Sequence, residues 1–170
     1  FMPVKTKSGK YVSFRYEPSY LADDPQLRTN FKTDIAPSFK VDNLVYSDIN
    51  LDGGNVVFSP SKEKVIISDR VFSENHGISE AELTAKLEKL LEASLIIIPS
   101  LKSDMTGHAD GMVRLVGENT AIVNAPLSPY GFETKVKKSL QNYGFNVIDF
   151  PYFYSKGDSA VGCYLNYLAT

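Results

Sequence analysis

The sequence contains little cysteine, histidine or tryptophan: one cysteine, two histidines and no tryptophan in 170 residues. The one cysteine, Cys163, cannot form an internal disulfide, so a disulfide-rich scaffold is excluded. The longest apolar run, Leu95 to Ile98, is far shorter than the ~20 residues of a membrane-spanning helix. No basic and then apolar pattern near the N-terminus indicates a secretory signal. These absences lead us to expect a cytoplasmic protein without a membrane segment.

Neither sign of charge is in large excess, since 18 basic and 20 acidic residues leave a net charge of −2. Without a basic surface field, neither nucleic acid nor an anionic membrane is an expected partner. No glycine-rich phosphate loop is present, and His76 and His108 are too far apart in sequence to form a zinc-binding pair. We therefore expect no metal and no cofactor. The remaining composition, 43% hydrophobic and 22% charged, is typical of a globular domain.

Apolar residues alternate or recur at helical spacing along most of the chain, which predicts short strands and two helices. Strands are predicted at 10–16, 55–59, 64–68, 95–98, 111–116, 120–124, 145–150 and 162–169. One helix is predicted at about 80–92, where Ser79 and Glu82 have the spacing of a capping box. A second is predicted on the apolar face at 132–140. The segment 17–50 is predicted to be loop-rich, with one weak helix.

The order strand–strand–helix–strand occurs twice in these predictions, over 55–98 and over 111–150, with a partial unit on either side. Each unit is about 40 to 50 residues long, a period typical of arrays and propellers whose units pack against their neighbours. The two units share the pattern rather than the residues. We predict an α/β, propeller-like ring of such units, folded as one domain over residues 1–170.

Two loops carry residues suited to chemistry. In the first, Asp52 precedes Gly53 and Gly54, which permit a tight turn and a close approach of the backbone to a ligand; a plain turn is the alternative. In the second, His108 and Asp110 are two residues apart, so an extended strand would project both to the same side. Such a pair can act as a general acid or base and as an anchor for a cation. A structural histidine held by a carboxylate is the alternative there.

The lone cysteine is the third candidate. Cys163 follows the small residues Ser159, Ala160 and Gly162, which would leave its thiol approachable. A lone cysteine is more often a small buried hydrophobic residue than a nucleophile. A cysteine nucleophile paired with a histidine distant in sequence is nevertheless a known arrangement.

Taken in order, LDGGN at 51–55, GHADG at 107–111 and GCYLNYL at 162–168 resemble the agmatine deiminase and bacterial peptidylarginine deiminase group. The less specific stretches FRYEPSYL at 14–21 and SDRVFSEN at 68–75 extend the resemblance over nearly the whole chain. The resemblance implies the pentein fold of guanidine-modifying enzymes, a ring of five strand–strand–helix–strand modules. It also implies hydrolysis of a guanidino group with release of ammonia.

The same resemblance implies a role for each candidate residue. Cys163 would attack the guanidinium carbon, and His108 would protonate the departing ammonia and then activate water. Asp110 would bind two N–H groups of the planar cation. Asp52 would help to shape the cation pocket. The substrate would be agmatine, free arginine or a peptidyl arginine, and a bound cation would favour the thiolate form of the cysteine.

The chain departs from the group at its N-terminus. A second guanidinium-binding aspartate lies there in a motif such as W-x-R-D-F-M-P, and Phe1-Met2-Pro3 resembles only the end of that motif. Asp34, in TDIAP, is an unconvincing substitute because it follows the KYVSFRYEPSYL stretch. We therefore expect an N-terminally truncated domain with about three to four of the five modules.

Two other functions remain open from the sequence. An amidinotransferase of the same fold would use an amine in place of water at the same intermediate. A non-catalytic or fragmentary module that binds or assembles would account for the incomplete ring. An open ring exposes sheet edges, so a homo-oligomer or a complementing N-terminal chain is an expected partner besides the guanidino substrate.

Overall fold

The computed structural model describes residues 3–38, 40–126, 128–151 and 165. The strands in this part of the chain are β1 Val4–Lys5, β2 Tyr11–Arg15, β3 Leu44–Asn50, β4 Val57–Phe58, β5 Lys64–Ser68, β6 Ser94–Ile98, β7 Val113–Gly117, β8 Thr120–Asn124 and β9 Asn146–Phe150. The α-helices are α1 Arg70–Ser73, α2 Glu80–Leu91 and α3 Phe132–Asn142.

The strands form three separate three-stranded sheets in the orders β1-β2-β3, β4-β5-β6 and β7-β8-β9. In each sheet the first two strands pair antiparallel and the third returns parallel to the second. A parallel return needs a crossover connection, and α2 and α3 lie in the crossovers of the second and third sheets. The predicted strand–strand–helix–strand unit is therefore confirmed, and the partial unit before it is a third module with the same strand order.

Helix α2 shows why the local sequence folds as predicted. The Ser79 hydroxyl accepts a hydrogen bond from the Glu82 backbone N–H at 3.2 Å, which caps the first turn. Leu83 and Leu87 are fully buried on one face of the helix. The helix ends at Leu91, and the capping residue Glu92 has a φ of 56°, in the left-handed region that terminates helices.

The second sheet lies between the first and third modules. The side chains of its strand β5 point alternately to opposite faces, which divides the core into two clusters. Val65 and Ile67 pack with α2 and the first sheet, whereas Ile66 packs with the third module. All three side chains are fully buried. Because successive residues of a strand point to opposite faces, one short strand joins both halves of the core.

The structure corrects three sequence predictions. The segment 17–50, predicted from the sequence to be loop-rich, ends in strand β3. Polar residues interrupt the apolar pattern of β3, and the strand is held by parallel pairing with β2. The predicted strand at 111–116 begins later, at Val113, after a 3₁₀ turn at Ala109–Gly111. The predicted strand at 55–59 is reduced to Val57–Phe58 by a 3₁₀ turn at Gly53–Asn55.

The first module differs from the other two in the connection between its last two strands. The first module has short 3₁₀ turns and one π-helical turn, Phe31–Ile35, where the other two modules have their long helix. The predicted strand at 162–169 lies outside the described residues except for Leu165, which is buried. Within the described ranges, no helix combines the length and apolar character needed to cross a membrane.

Candidate active site

The LDGGN segment leaves β3 and enters the second module. Asp52 precedes the 3₁₀ turn Gly53–Asn55 and is 8% exposed, so its carboxylate is held in the interior. The Asn55 side-chain oxygen accepts hydrogen bonds from the Ser68 N–H at 2.9 Å and the Ala109 N–H at 3.2 Å. Asn55 therefore joins the Asp52 turn to the end of β5 and to the loop that carries His108.

His108 lies at the start of the Ala109–Gly111 turn, in the connection from β6 to β7. Its Nε2 atom lies 2.6 Å from Oδ2 of Asp52. An ionised carboxylate can only accept, so Nε2 carries the hydrogen in this pair. The other ring nitrogen, Nδ1, is then the atom that can exchange a proton with a substrate.

Gly54 is where His108 and Asp110 meet. A Cβ atom at this position would lie 2.5 Å from Nδ1 of His108 and 3.1 Å from Oδ2 of Asp110. Only glycine leaves room for both side chains against the backbone. The prediction that His108 and Asp110 face the same way holds, but the 3₁₀ turn brings this about rather than an extended strand.

Tyr20 completes the arrangement and was missed by sequence reasoning. Its hydroxyl donates to Oδ2 of Asp52 at 2.8 Å, the same oxygen that faces His108. Tyr16 lies beside it, with the two hydroxyl oxygens 3.3 Å apart. No spacing signal identifies Tyr20, because 32 positions separate it from Asp52; only the FRYEPSYL resemblance includes it.

Two aspartates in this site ionise differently. Burial opposes ionisation of Asp52, but hydrogen bonds from His108 and Tyr20 outweigh it and hold the pKa of that carboxyl below its usual value. Burial raises the pKa of the Asp110 carboxyl, and the charges of His108 and Arg114 offset only part of the effect. Burial also raises the pKa of Tyr20, aided by Tyr16 and Asp52, so the phenol stays protonated and can only donate to the carboxylate.

The other candidate residues are placed less directly. Cys163 lies outside the described residues, so its predicted role stays a prediction. Leu165, two positions further along, is buried, and its carbonyl accepts a 2.6 Å hydrogen bond from Nε of Arg114 on β7. Asp34 is exposed and bonded to Thr33 and to the Asn30 backbone. The predicted contact of Asp52 with substrate also stays a prediction; the observed partners of its carboxylate are His108 and Tyr20.

The acidic and imidazole groups do not form a metal centre in the part of the chain that the structure describes. No group of three or more His, Cys, Asp or Glu side chains there could hold a metal ion. What the arrangement offers is a carboxylate-anchored imidazole beside a second carboxylate. That combination can move a proton and hold a cation at the same place.

The fold is shared with solved deiminase structures. The chain is similar to C. jejuni agmatine deiminase, with 18% identity and a TM-score of 0.61 over 86% of this chain and 48% of that one. It is similar to Enterococcus faecalis agmatine deiminase, with 13% identity and a TM-score of 0.61 over 88% and 47%. A Porphyromonas gingivalis protein provisionally named an arginine deiminase has 16% identity and a TM-score of 0.67 over 95% and 55%.

These likenesses establish the fold. The described chain has the pentein-type α/β fold of these deiminases, as the sequence predicted. It spans about half the length of the solved structures that it matches. No family model and no curated protein sequence matches it.

Proposed function

We propose that this chain carries the site of a deiminase-like hydrolase that releases ammonia from a guanidino group, as in agmatine, arginine or a peptidyl arginine. The observation that carries the proposal is the meeting of Asp52, His108 and Asp110 around Gly54. It occurs on a chain with the fold of agmatine deiminases. Unlike the fold alone, this side-chain geometry specifies a chemistry.

Substrate binding is assigned to Asp110. A carboxylate can accept two parallel N–H bonds from a planar guanidinium, which fixes the plane of the cation. Burial raises the pKa of Asp110, and a bound cation compensates for the cost of keeping the charged carboxylate there. A neutral ligand of the same shape would leave that cost in place, so the site favours a cation.

The covalent step is assigned to Cys163. Its thiolate attacks the guanidinium carbon, and a C–N bond of the tetrahedral adduct breaks as ammonia leaves with a proton from His108. The product of this step is an S-alkyl thiouronium. The anchor of Leu165 to Arg114 supports the assignment, because Leu165 follows Cys163 by two positions and Arg114 follows Asp110 by four.

The second half of the reaction is hydrolysis. His108, now neutral at Nδ1, takes a proton from water, and the resulting hydroxide adds to the thiouronium carbon. The C–S bond breaks, which restores the thiolate, and the added hydroxyl gives up its proton to solvent, which leaves a ureido group. Asp52 keeps the imidazole oriented through both halves, because it holds the hydrogen on Nε2.

Ammonia release from agmatine, arginine and an arginine-containing peptide tests the proposal, with product mass to separate water from an amine as acceptor. We expect turnover of one of the three by the protein that contains this chain. Cys163→Ala should abolish turnover with little loss of folding stability. Ammonia release by this variant at the wild-type rate would exclude the covalent mechanism.

A labelling experiment tests the site without turnover. Chloroacetamidine carries a planar cation, and chloroacetamide is its neutral counterpart; both alkylate thiols. Because the chain has a single cysteine, the mass gained reports Cys163 alone. We expect the cationic reagent to react faster than the neutral one, and Asp110→Asn to remove the difference. Equal rates in the wild-type chain would argue against a cation site at the cysteine.

A further inference from the structure

The hydroxyl of Tyr20 is part of the histidine site although it comes from the irregular part of the first module. It donates to Asp52 Oδ2 at 2.8 Å, and the same oxygen lies 2.6 Å from His108 Nε2. Asp52 is 8% exposed, so few water molecules can replace either partner. Two donors from two different modules therefore fix one carboxylate oxygen.

A clamp of Ser19, Arg70 and Glu74 holds Tyr20 in place. The Ser19 backbone and hydroxyl donate to Glu74 at 2.9 and 2.6 Å, and Arg70 donates to Glu74 and to the Ser19 hydroxyl. The Arg70 guanidinium also lies over the Tyr20 ring, 5.3 Å from its centre. An irregular segment is thus tied to helix α1 next to the position where its tyrosine meets Asp52.

We propose that Tyr20 is a positioning residue for His108, acting through Asp52; this inference rests on the proposed function. The Tyr20 hydroxyl fixes the Asp52 carboxylate, and the carboxylate fixes the Nε2–H form of the imidazole. Nδ1 is left facing Gly54 and Asp110, where the proton of the departing ammonia is delivered. Tyr20 neither touches the reacting atoms nor carries the proton.

Three further charged or titratable groups lie around the Tyr20–Asp52–His108 contacts. Tyr16 lies 3.3 Å from the Tyr20 hydroxyl, and Arg70 lies over its ring. Asp110 lies beyond the imidazole, across Gly54. Tyr16 and Asp52 therefore both lie within reach of the Tyr20 hydroxyl, and both contacts raise the pKa of this phenol.

The decisive variant is Tyr20→Phe, which keeps the ring and its packing and removes only the hydroxyl. Loss of one of the two donors that lower it should raise the pKa of Asp52, read from the pH dependence of its carboxyl ¹³C shift. Tyr16→Phe leaves the Tyr20–Asp52 hydrogen bond in place and should give a smaller change in this pKa. Tyr130→Phe, at a 91% exposed position, should give none.

The tautomer and the kinetics complete the test. In the wild-type chain the ¹⁵N shifts of neutral His108 should show hydrogen on Nε2, with exposed His76 as the only other histidine signal. Tyr20→Phe should lower kcat about tenfold and leave KM within about twofold, because orientation rather than binding is disturbed.

The two kinds of failure are separable. An unchanged Asp52 titration in Tyr20→Phe, with backbone amide shifts preserved, would overturn the positioning role, as would hydrogen on Nδ1 of His108. A shifted titration in a protein that releases no ammonia and shows no preference for chloroacetamidine would instead overturn the proposed function. A fall in kcat without a shift of the Asp52 titration would mean that Tyr20 affects the rate by a route other than Asp52, which would also overturn the proposal.

Discussion

At the scale of single residues, Asp52 and Asp110 are two aspartates on either side of one imidazole with opposite tendencies to ionise. Asp52 receives hydrogen bonds from His108 and Tyr20, which lower its pKa despite burial. Asp110 is buried without equal compensation, and its pKa is raised. A carboxylate whose charge the protein stabilises is suited to orienting a base. A buried carboxylate whose charge is less well stabilised is suited to binding a cation.

This difference predicts opposite effects of removing each charge. The folded-state pKa of Asp52 lies below its unfolded value of about 3.9, so its stabilisation is present above that value and lost as pH falls through the folded pKa. Asp52→Asn should therefore lower the free energy of unfolding at pH 7, by less at acidic pH. For Asp110 the folded pKa is raised, so Asp110→Asn should increase stability at pH 7, although we expect it to weaken cation binding and lower the rate.

Denaturant unfolding of both variants at several pH values checks this prediction, with the wild-type chain as reference. The gap between Asp110→Asn and wild type should close as pH falls through the pKa of Asp110, because the wild-type carboxyl is then protonated as well. A loss of stability at pH 7 in both variants would contradict the assignment of opposite shifts.

Gly54 offers a second prediction at this scale, with its neighbour as a matched control. Gly54→Ala places a Cβ 2.5 Å from His108 Nδ1, so the imidazole must move. Displacement of a reacting group by about 1 Å costs about a hundredfold in rate. Gly53→Ala meets no atom within 4 Å and should retain the wild-type rate. Turnover and the rate of chloroacetamidine labelling measure both; equal rates in the two variants would contradict the arrangement.

At the scale of elements, the long helices follow from short-range signals in the sequence. Helix α2 has its cap at Ser79, its buried leucine stripe and its left-handed end at Glu92. Strand β3 lacks such a signal, because polar residues at 47, 48 and 50 interrupt its apolar pattern and the strand is held by pairing with β2. Local patterns predict elements that bury one face and do not reveal a strand whose stability comes from its partner.

The cap of α2 gives the prediction at this scale. Ser79→Ala removes the acceptor for the Glu82 N–H and should lower the free energy of unfolding by about 1 kcal/mol. Ser79→Thr keeps a hydroxyl and should cost less. Denaturant unfolding measures both, and chloroacetamidine labelling should be unchanged in the folded variants, because α2 does not contribute to the site. An alanine variant as stable as wild type would exclude the capping role.

At the scale of the whole molecule, the modules repeat in structure but not in burial. Ile96 pairs with Ile66 in the second sheet, and Ile148 pairs with Ile122 at the equivalent register in the third. Ile96 is 4% exposed because the third module packs on it, whereas Ile148 is 45% exposed. The same structural position is thus core in one module and surface in the next.

This asymmetry predicts different costs for the same substitution. Ile96→Ala should lower the free energy of unfolding by about 2–5 kcal/mol, since it leaves a cavity between two modules. Ile148→Ala should cost about 0.5 kcal/mol or less, as at other surface positions. Denaturant unfolding of the two variants measures both losses of unfolding free energy. Equal losses would mean that the face of β9 is covered in solution, and mass measured in solution would then identify a second copy.

The sequence by itself determined what depends on neighbours along the chain. The repeated strand–strand–helix–strand order, the capped helix at 80–91 and the turn at Gly53–Asn55 follow from residues a few positions apart. Two of the three motifs, LDGGN and GHADG, also identified Asp52, His108 and Asp110 as candidates. Apolar periodicity, capping and glycine content act locally, so they can be recognised before any tertiary contact is known.

Only the tertiary structure decided which of these residues meet. Asp52 and His108 are 56 positions apart, and Tyr20 is 32 positions from Asp52. Their contacts arise because three modules pack side by side and bring three connecting segments to one place. Local pattern carries no information about such a meeting, since it depends on how the sheets pack rather than on the residues near each group. The same tertiary contact with Asp52 decides that Nε2, rather than Nδ1, is the ring nitrogen of His108 that carries the hydrogen.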